Sequence, residues 1–189
     1  DELRAAALEW QPSGRAYILD APSHLPVAVQ RGWRAPPAPG EEGQQRLAAI
    51  SREVVRALGI ALPERAARGE RGALLATLEA RLVAGTLDEW VGMCGADYVR
   101  QLVAVEPCVL AAPPKALLST LEALNRHGGL EPPAAVAYVL KHPVLVGLAP
   151  AELGERLEGL ARAVGLAPEE ARRMALERPE LLMVRGGRR

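Results

Sequence analysis

From Gln44 onward the apolar positions recur at helical spacing. Leu47, Ile50, Val54, Val55 and Leu58 fall three or four residues apart, and Gly59 and Pro63 predict the end of that helix. A second amphipathic stretch runs through Leu74, Leu75, Leu78 and Leu82 and is expected to close at Gly85. Leu102, Val103 and Val105 lead a third into Pro107. No alternating pattern of convincing strand length occurs, so the prediction is an all-α chain of short helices punctuated by Gly and Pro.

The punctuation is periodic. Pro107, Pro143 and Pro179 lie 36 residues apart, in the contexts VEPCVL, KHPVLV and ERPELL. Stepping forward from the first two prolines, Leu117 matches Leu153, Leu121 matches Leu157 and Leu124 matches Leu160. Gly129 then matches Gly165, Leu130 matches Leu166, and Pro132 matches Pro168. Leucine is abundant, so its matches weigh little. The Pro and Gly matches weigh more, because those residues dictate backbone geometry. The signal is strong over residues 95–184 and decays upstream, where Leu58-Gly59-Ile60 resembles the segment ending in Gly165-Leu166 but Arg71 stands at the place of a proline.

Each part of the repeat has a physical role. A short helix is expected over Pro168 to Arg178, with Glu169 and Glu170 at its positive end and Arg178 at its negative end. Pro179 stops it, since an interior Pro costs about 3 kcal/mol and the preceding residue avoids the α region. A longer helix is expected over Pro150 to Val164. There Leu153, Leu157, Leu160 and Val164 make one apolar stripe and Gly165 supplies the left-handed turn beyond it. One such pair cannot bury its stripe alone, whereas stacked neighbours can, each buried Leu being worth roughly 1.5–3 kcal/mol. The expected fold is therefore an α-solenoid with an irregular N-terminal arm. Its last unit stops soon after Pro179, so its apolar face needs a cap or a partner.

The arm covers residues 1–43 and is dense in breakers, including Pro12, Gly14, Pro22, Pro26, Gly32, Pro36, Pro37 and Pro39. Only a short helix over Glu2 to Trp10 survives that spacing. Yet the arm carries Trp10, Tyr17, Ile18, Leu19 and Trp33, more large apolar groups than a solvated linker holds. It is expected to pack, either on its own solenoid or on a partner. Residues 44–94 read as degenerate helical repeats, 95–184 as the regular repeats and 185–189 as a basic tail.

The pattern of a helix, a Pro followed by apolar residues, and a Leu-striped helix closing in Gly-Leu resembles the mitochondrial transcription termination factor (mTERF) family. The segments that carry it are AAVAYVLKHPVLV, AELGERLEGLARAVGL and APEEARRMALERPELLMV. Pentatricopeptide and tetratricopeptide repeats, with periods of about 35 and 34, are the alternatives; the proline after the short helix, joined to the Gly-Leu ending, favours mTERF. The resemblance implies mTERF-like helix triplets of two α-helices and one 3-10 turn. It also implies an organellar address, mitochondrion or otherwise chloroplast, and binding to DNA or RNA in organelle gene expression. Some relatives act on ribosomal RNA.

Composition refines this picture. Hydrophobic residues are 49%, aromatics 3% and Phe is absent, so the core is aliphatic and helix-favouring. Lys plus Arg and Asp plus Glu number 23 each, so no global basic excess draws nucleic acid and any basic surface must be segregated by face. No apolar run approaches the ~18 residues that cross a bilayer. The chain begins at Asp1 rather than Met, which fits a removed organellar targeting segment and equally an artificial boundary. Cys94 and Cys108 form no metal motif and read as small buried hydrophobes.

His24, His127 and His142 lack a paired nucleophile, Gly128-Gly129 follows a helix rather than opening one, and no phosphate-loop motif occurs. The chain therefore reads as no enzyme and as needing no cofactor. Phosphate contacts would fall to Arg100, Lys141, His142, Arg172, Arg173 and Arg178 on the helices before the prolines, and to Arg185, Arg188 and Arg189 in the tail. His142 and Arg178 share a repeat position, where the preceding unit has Glu106. The expected function is organellar nucleic-acid binding, with ribosomal RNA favoured over double-stranded nucleic acid and with protein partners in a large complex such as the mitochondrial ribosome. A protein-binding scaffold and a DNA-binding termination factor are the alternatives.

Overall fold

The computed structural model describes residues 2–9, 40–146 and 150–183. Among them the chain is all-helical, with no strand. No described helix is long and apolar enough to cross a membrane. The chain opens with α1 (Glu2–Glu9), and α2 (Glu41–Leu58) begins three residues inside the arm expected to reach residue 43, running through Gly43. The rest of the arm, residues 10–39, lies outside the described residues. Ile50, Val54 and Leu58 of α2 are buried as the spacing requires, while Val55, one step out of phase, is 49% exposed.

The expectation of one helix from Leu74 to Gly85 is corrected. A 3-10 turn (Glu64–Ala67) and the short α3 (Gly69–Leu75) come first, and the chain then turns. The Thr77 amide and hydroxyl both donate to the Leu74 carbonyl, closing a tighter turn in place of the next α-helical bond. A new helix, α4 (Ala80–Cys94), runs through Gly85. A Cβ at Gly85 would meet nothing within 4 Å, so this glycine is a tolerated helix residue and not a stop. Leu82 faces outward.

From here the backbone repeats with the period of the prolines. The short helices α5 (Ala96–Val105), α7 (Pro132–Lys141) and α9 (Pro168–Glu177) are each 10 residues long and start 36 residues apart. The residue after each leaves the α region: φ/ψ is −142/92 at Glu106, −132/63 at His142 and −132/75 at Arg178. The α9 helix thus ends one residue before the expected Arg178, because the proline ring excludes helical backbone there. Each of these residues donates its amide four residues back, to Leu102, Tyr138 and Met174. Each carbonyl then accepts from the amide two residues beyond the proline, in Val109, Leu145 and Leu181. The result is a 3-10 turn over Pro107–Ala111, another over Pro143–Leu145, and the single-turn α10 (Glu180–Met183).

The longer helices are α4, α6 (Ala116–Arg126) and α8 (Pro150–Val164). Beyond α6 and α8, Gly129 and Gly165 both take φ 66, the left-handed region that favours glycine. Glu131 and Ala167 then share extended backbone, at φ/ψ −59/152 and −60/149, and hand the chain to Pro132 and Pro168. A long helix, a short helix and a proline turn thus form one unit, and three such units follow α3.

Tyrosine hydroxyls also join neighbouring units, from different positions of the repeat. The Tyr98 hydroxyl of α5 donates to the Val136 carbonyl of α7 at 3.1 Å, and the Tyr138 hydroxyl of α7 donates to the Leu176 carbonyl of α9 at 2.9 Å. Burial pushes the Tyr98 phenol well above its ordinary range, with Cys94 adding to the shift, so it stays protonated as the donor. Within the second and third units Thr120 donates to the Leu145 carbonyl and Arg156 to the Leu182 carbonyl, tying each long helix to its proline turn.

One apolar cluster runs from Ala7 to Leu182. The start of the arm joins it: α1 packs on α4 and α7 through Leu3, Ala6 and Ala7, and Arg4 donates to the Gly92 carbonyl in the last turn of α4. Leu124 and Leu160 occupy the same place in successive units, but Leu124 is 1% exposed and Leu160 only partly buried. Leu124→Ala is expected to cost about 2–5 kcal/mol. Leu160→Ala should cost about 1 kcal/mol. Urea unfolding with unchanged slope measures both, and equal costs would contradict the burial difference.

Candidate nucleic-acid interface

The candidate cations separate into two groups by the work they do. Arg100, on α5, is committed to the fold: its Nε donates to the Leu58 carbonyl at the end of α2 at 2.9 Å, and Nη1 bonds Asp97. Arg172 occupies the same repeat position on α9, 72 residues later. Its guanidinium lies against the turn after α6, where a Cβ on Gly129 would stand 3.3 Å from Nη1. Both arginines therefore lie at the negative end of the long helix of the preceding segment, where a cation is favoured. Between them that position holds Val136, and the neighbouring α4 end instead receives Arg4.

The second group stands at the opposite ends of the short helices. Lys141 closes α7 and is exposed. His142 is half-buried, its ring centroid 4.6 Å from that of Tyr138. Since Tyr138 also bonds the Leu176 carbonyl, it brings His142 close to the end of α9, where Arg178 is exposed. Arg173 is exposed on the same helix. No ion pair holds Lys141, Arg173 or Arg178 among the described residues. Arg185, Arg188 and Arg189 lie outside the described residues.

Glu106 explains why this basic edge does not extend into the first unit. Its carboxylate turns inward, pairs with Arg71 at 3.0 Å and caps the Cys108 amide at 3.1 Å. The hydrogen bond to Glu106 raises the Arg71 guanidinium above its ordinary value despite the opposing effect of burial. Arg71, standing where the repeat has a proline, thus holds the next unit through an ion pair.

Reading cations by helix position alone overlooked Arg126 and Arg162. They are 36 residues apart, exposed, and in the last turns of α6 and α8. The same period that aligned the prolines would have found them. Arg65 was also overlooked; it caps the Ala104 and Val105 carbonyls from a distance in sequence that no local pattern carries.

No group of three or more His, Cys, Asp or Glu among the described residues is arranged to hold a metal ion. Cys94 and Cys108 are free and buried, and burial pushes both thiols up to about 12. Comparison with known proteins finds no matching family model, no matching curated protein and no matching solved structure.

These thiols give a pH prediction. Between about pH 9 and 12 the unfolded thiol ionises while the folded one stays protonated, so stability present below pH 9 is lost as pH rises through that window. Native protein should resist alkylation at pH 8 and react fully in denaturant. Rapid labelling of the folded chain would contradict the burial of both sulfurs.

Proposed function

We propose that this chain is an organellar nucleic-acid-binding protein of the mTERF-like type, an α-solenoid of 36-residue units that binds and stabilises ribosomal RNA as a component or assembly partner of the mitochondrial ribosome. The architectural part is supported by the recurrence of helix length and cap geometry at one period. Stacking of this kind presents the ends of successive helices as a continuous edge.

The RNA-binding part is carried by one observation. His142 lies against Tyr138, whose hydroxyl joins α7 to α9, and Lys141 and Arg178 are exposed at the proline-turn ends of these two short helices, neither held by an ion pair among the described residues. Cations on long side chains at such an edge fit phosphate oxygens, and Arg173 and the tail arginines extend the set. Glu177 is exposed beside Arg178, so the local excess is modest and a footprint of few phosphates follows. The zero net charge favours a second reading, a scaffold that grips protein alone.

Salt separates the two. Affinity of the full chain for fragments of organellar ribosomal RNA is expected to fall as salt rises. Replacing Lys141 and Arg178 together by Gln should lower the logarithmic slope by about 1.4, at about 0.7 per phosphate on a single strand. Absence of RNA affinity at low salt would reject the proposal in favour of the scaffold. Stronger competition from duplex DNA than from RNA would point to a termination factor.

A further inference from the structure

The first helix is unlike the rest of the core it joins. Of the eight residues of α1 only Ala7 is buried; Leu3 and Ala6 are half-buried and Leu8 is 54% exposed. A helix of that length does not hold together in water by itself, where about 12–15 residues are needed. It is therefore helical only while docked, and a small apolar area holds it there, chiefly Leu3, Ala6 and Ala7 against α4 and α7. The helices beneath have other supports. Val83, Leu87 and Trp90 of α4 are buried, α4 packs on α2 and α5, and the Trp90 indole donates to the Pro114 carbonyl ahead of α6.

The docked helix crosses the end of α4 on either side of Cys94. Arg4 donates to the Gly92 carbonyl, and a Cβ on Gly95 would stand 3.5 Å from the Leu8 side chain. Cys94, between these contacts, is buried, and the Arg4 guanidinium is near enough to oppose the effect of burial on its thiol. Cys108 lies elsewhere: it packs with Leu74 and Ala111 at the first proline turn, in a cluster that α1 does not enter.

We propose that α1 is a strap that undocks from the array as a separate unit, and that its undocking uncovers Cys94 while the helices beneath stay folded. Local openings span free energies from near zero up to that of global unfolding, and an element with one buried residue belongs at the low end. The strap bridges α4 of the first unit and α7 of the second, so its release also removes a clamp across that joint. None of this depends on nucleic-acid binding.

The test is alkylation of the full wild-type chain with iodoacetamide, each thiol followed by peptide mass spectrometry and normalised to its rate in denaturant. Both thiols should react slowly, but Cys94 about tenfold or more faster than Cys108. In low urea the Cys94 rate should rise with a much smaller slope than the global transition, and the Cys108 rate with the full slope. Ala7→Glu, which puts a charge where α1 meets the array, should speed Cys94 by about tenfold or more and leave Cys108 unchanged. Arg4→Ala removes one exposed hydrogen bond, too little to unfold the array, and should speed Cys94 by about two- to fivefold.

Equal normalised rates, or a faster Cys108, overturn the proposal, since α1 would then open only with the whole chain. So does a Cys94 rate that neither variant changes, since α1 would not cover that sulfur. Equal acceleration of both thiols by Arg4→Ala would place α1 in the global folding unit and overturn it as well.

Discussion

The architecture depends on the steric exclusion that a proline imposes on the residue before it. At Glu106, His142 and Arg178 that exclusion takes the backbone out of the α region after ten helical residues. The helix end would leave carbonyls without partners, but the same change of direction lets the pre-proline carbonyl accept an amide from beyond the ring. Termination and reversal are therefore one event. Because it recurs at a fixed interval, the three short helices end alike and each hands the chain to a single tight turn.

This explains which features were legible in the sequence. Proline and glycine act through local backbone geometry, so their spacing foretold the starts of α7 and α9, the ends of all three short helices, and the left-handed turns at Gly129 and Gly165. Where the sequence lacks such residues the reading failed. The break between α3 and α4 is made by Thr77 bonding back to Leu74, and no breaker marks it. Gly85, taken as a stop, sits in open space within α4.

The candidate interface was less legible for a different reason. An arginine is equally suited to phosphate, to a carboxylate and to the carbonyl end of a helix, and only tertiary structure decides which partner is within reach. Arg100 reaches Leu58 across 42 residues and Arg71 reaches Glu106 across 35. Both are spent on holding segments together. Lys141 and Arg178 are exposed at the ends of α7 and α9 and no ion pair holds either among the described residues, which leaves them to solvent or to a ligand. Net charge, a sum over both kinds, says little about a surface when much of the cationic inventory is structural.

The exchange of Pro for Arg at position 71 shows how an array of this kind accommodates an irregular unit. Without the proline, the segment from Glu64 to Leu75 forms a 3-10 turn and a short helix in place of a ten-residue helix and a sharp turn. Backbone geometry then no longer fixes its relation to the next unit, and a side-chain pair takes over. Arg71 meets Glu106, which is also the cap of the Pro107 turn, so the ion pair fastens the irregular segment to the first proline turn. A carboxylate that interrupts the basic edge is thereby the anchor from which the regular units proceed. Removing it would leave the partly buried Arg71 and the Cys108 amide unpaired together, a loss of roughly 1–3 kcal/mol for each unsatisfied group. The basic edge begins one unit later because this position is already in use.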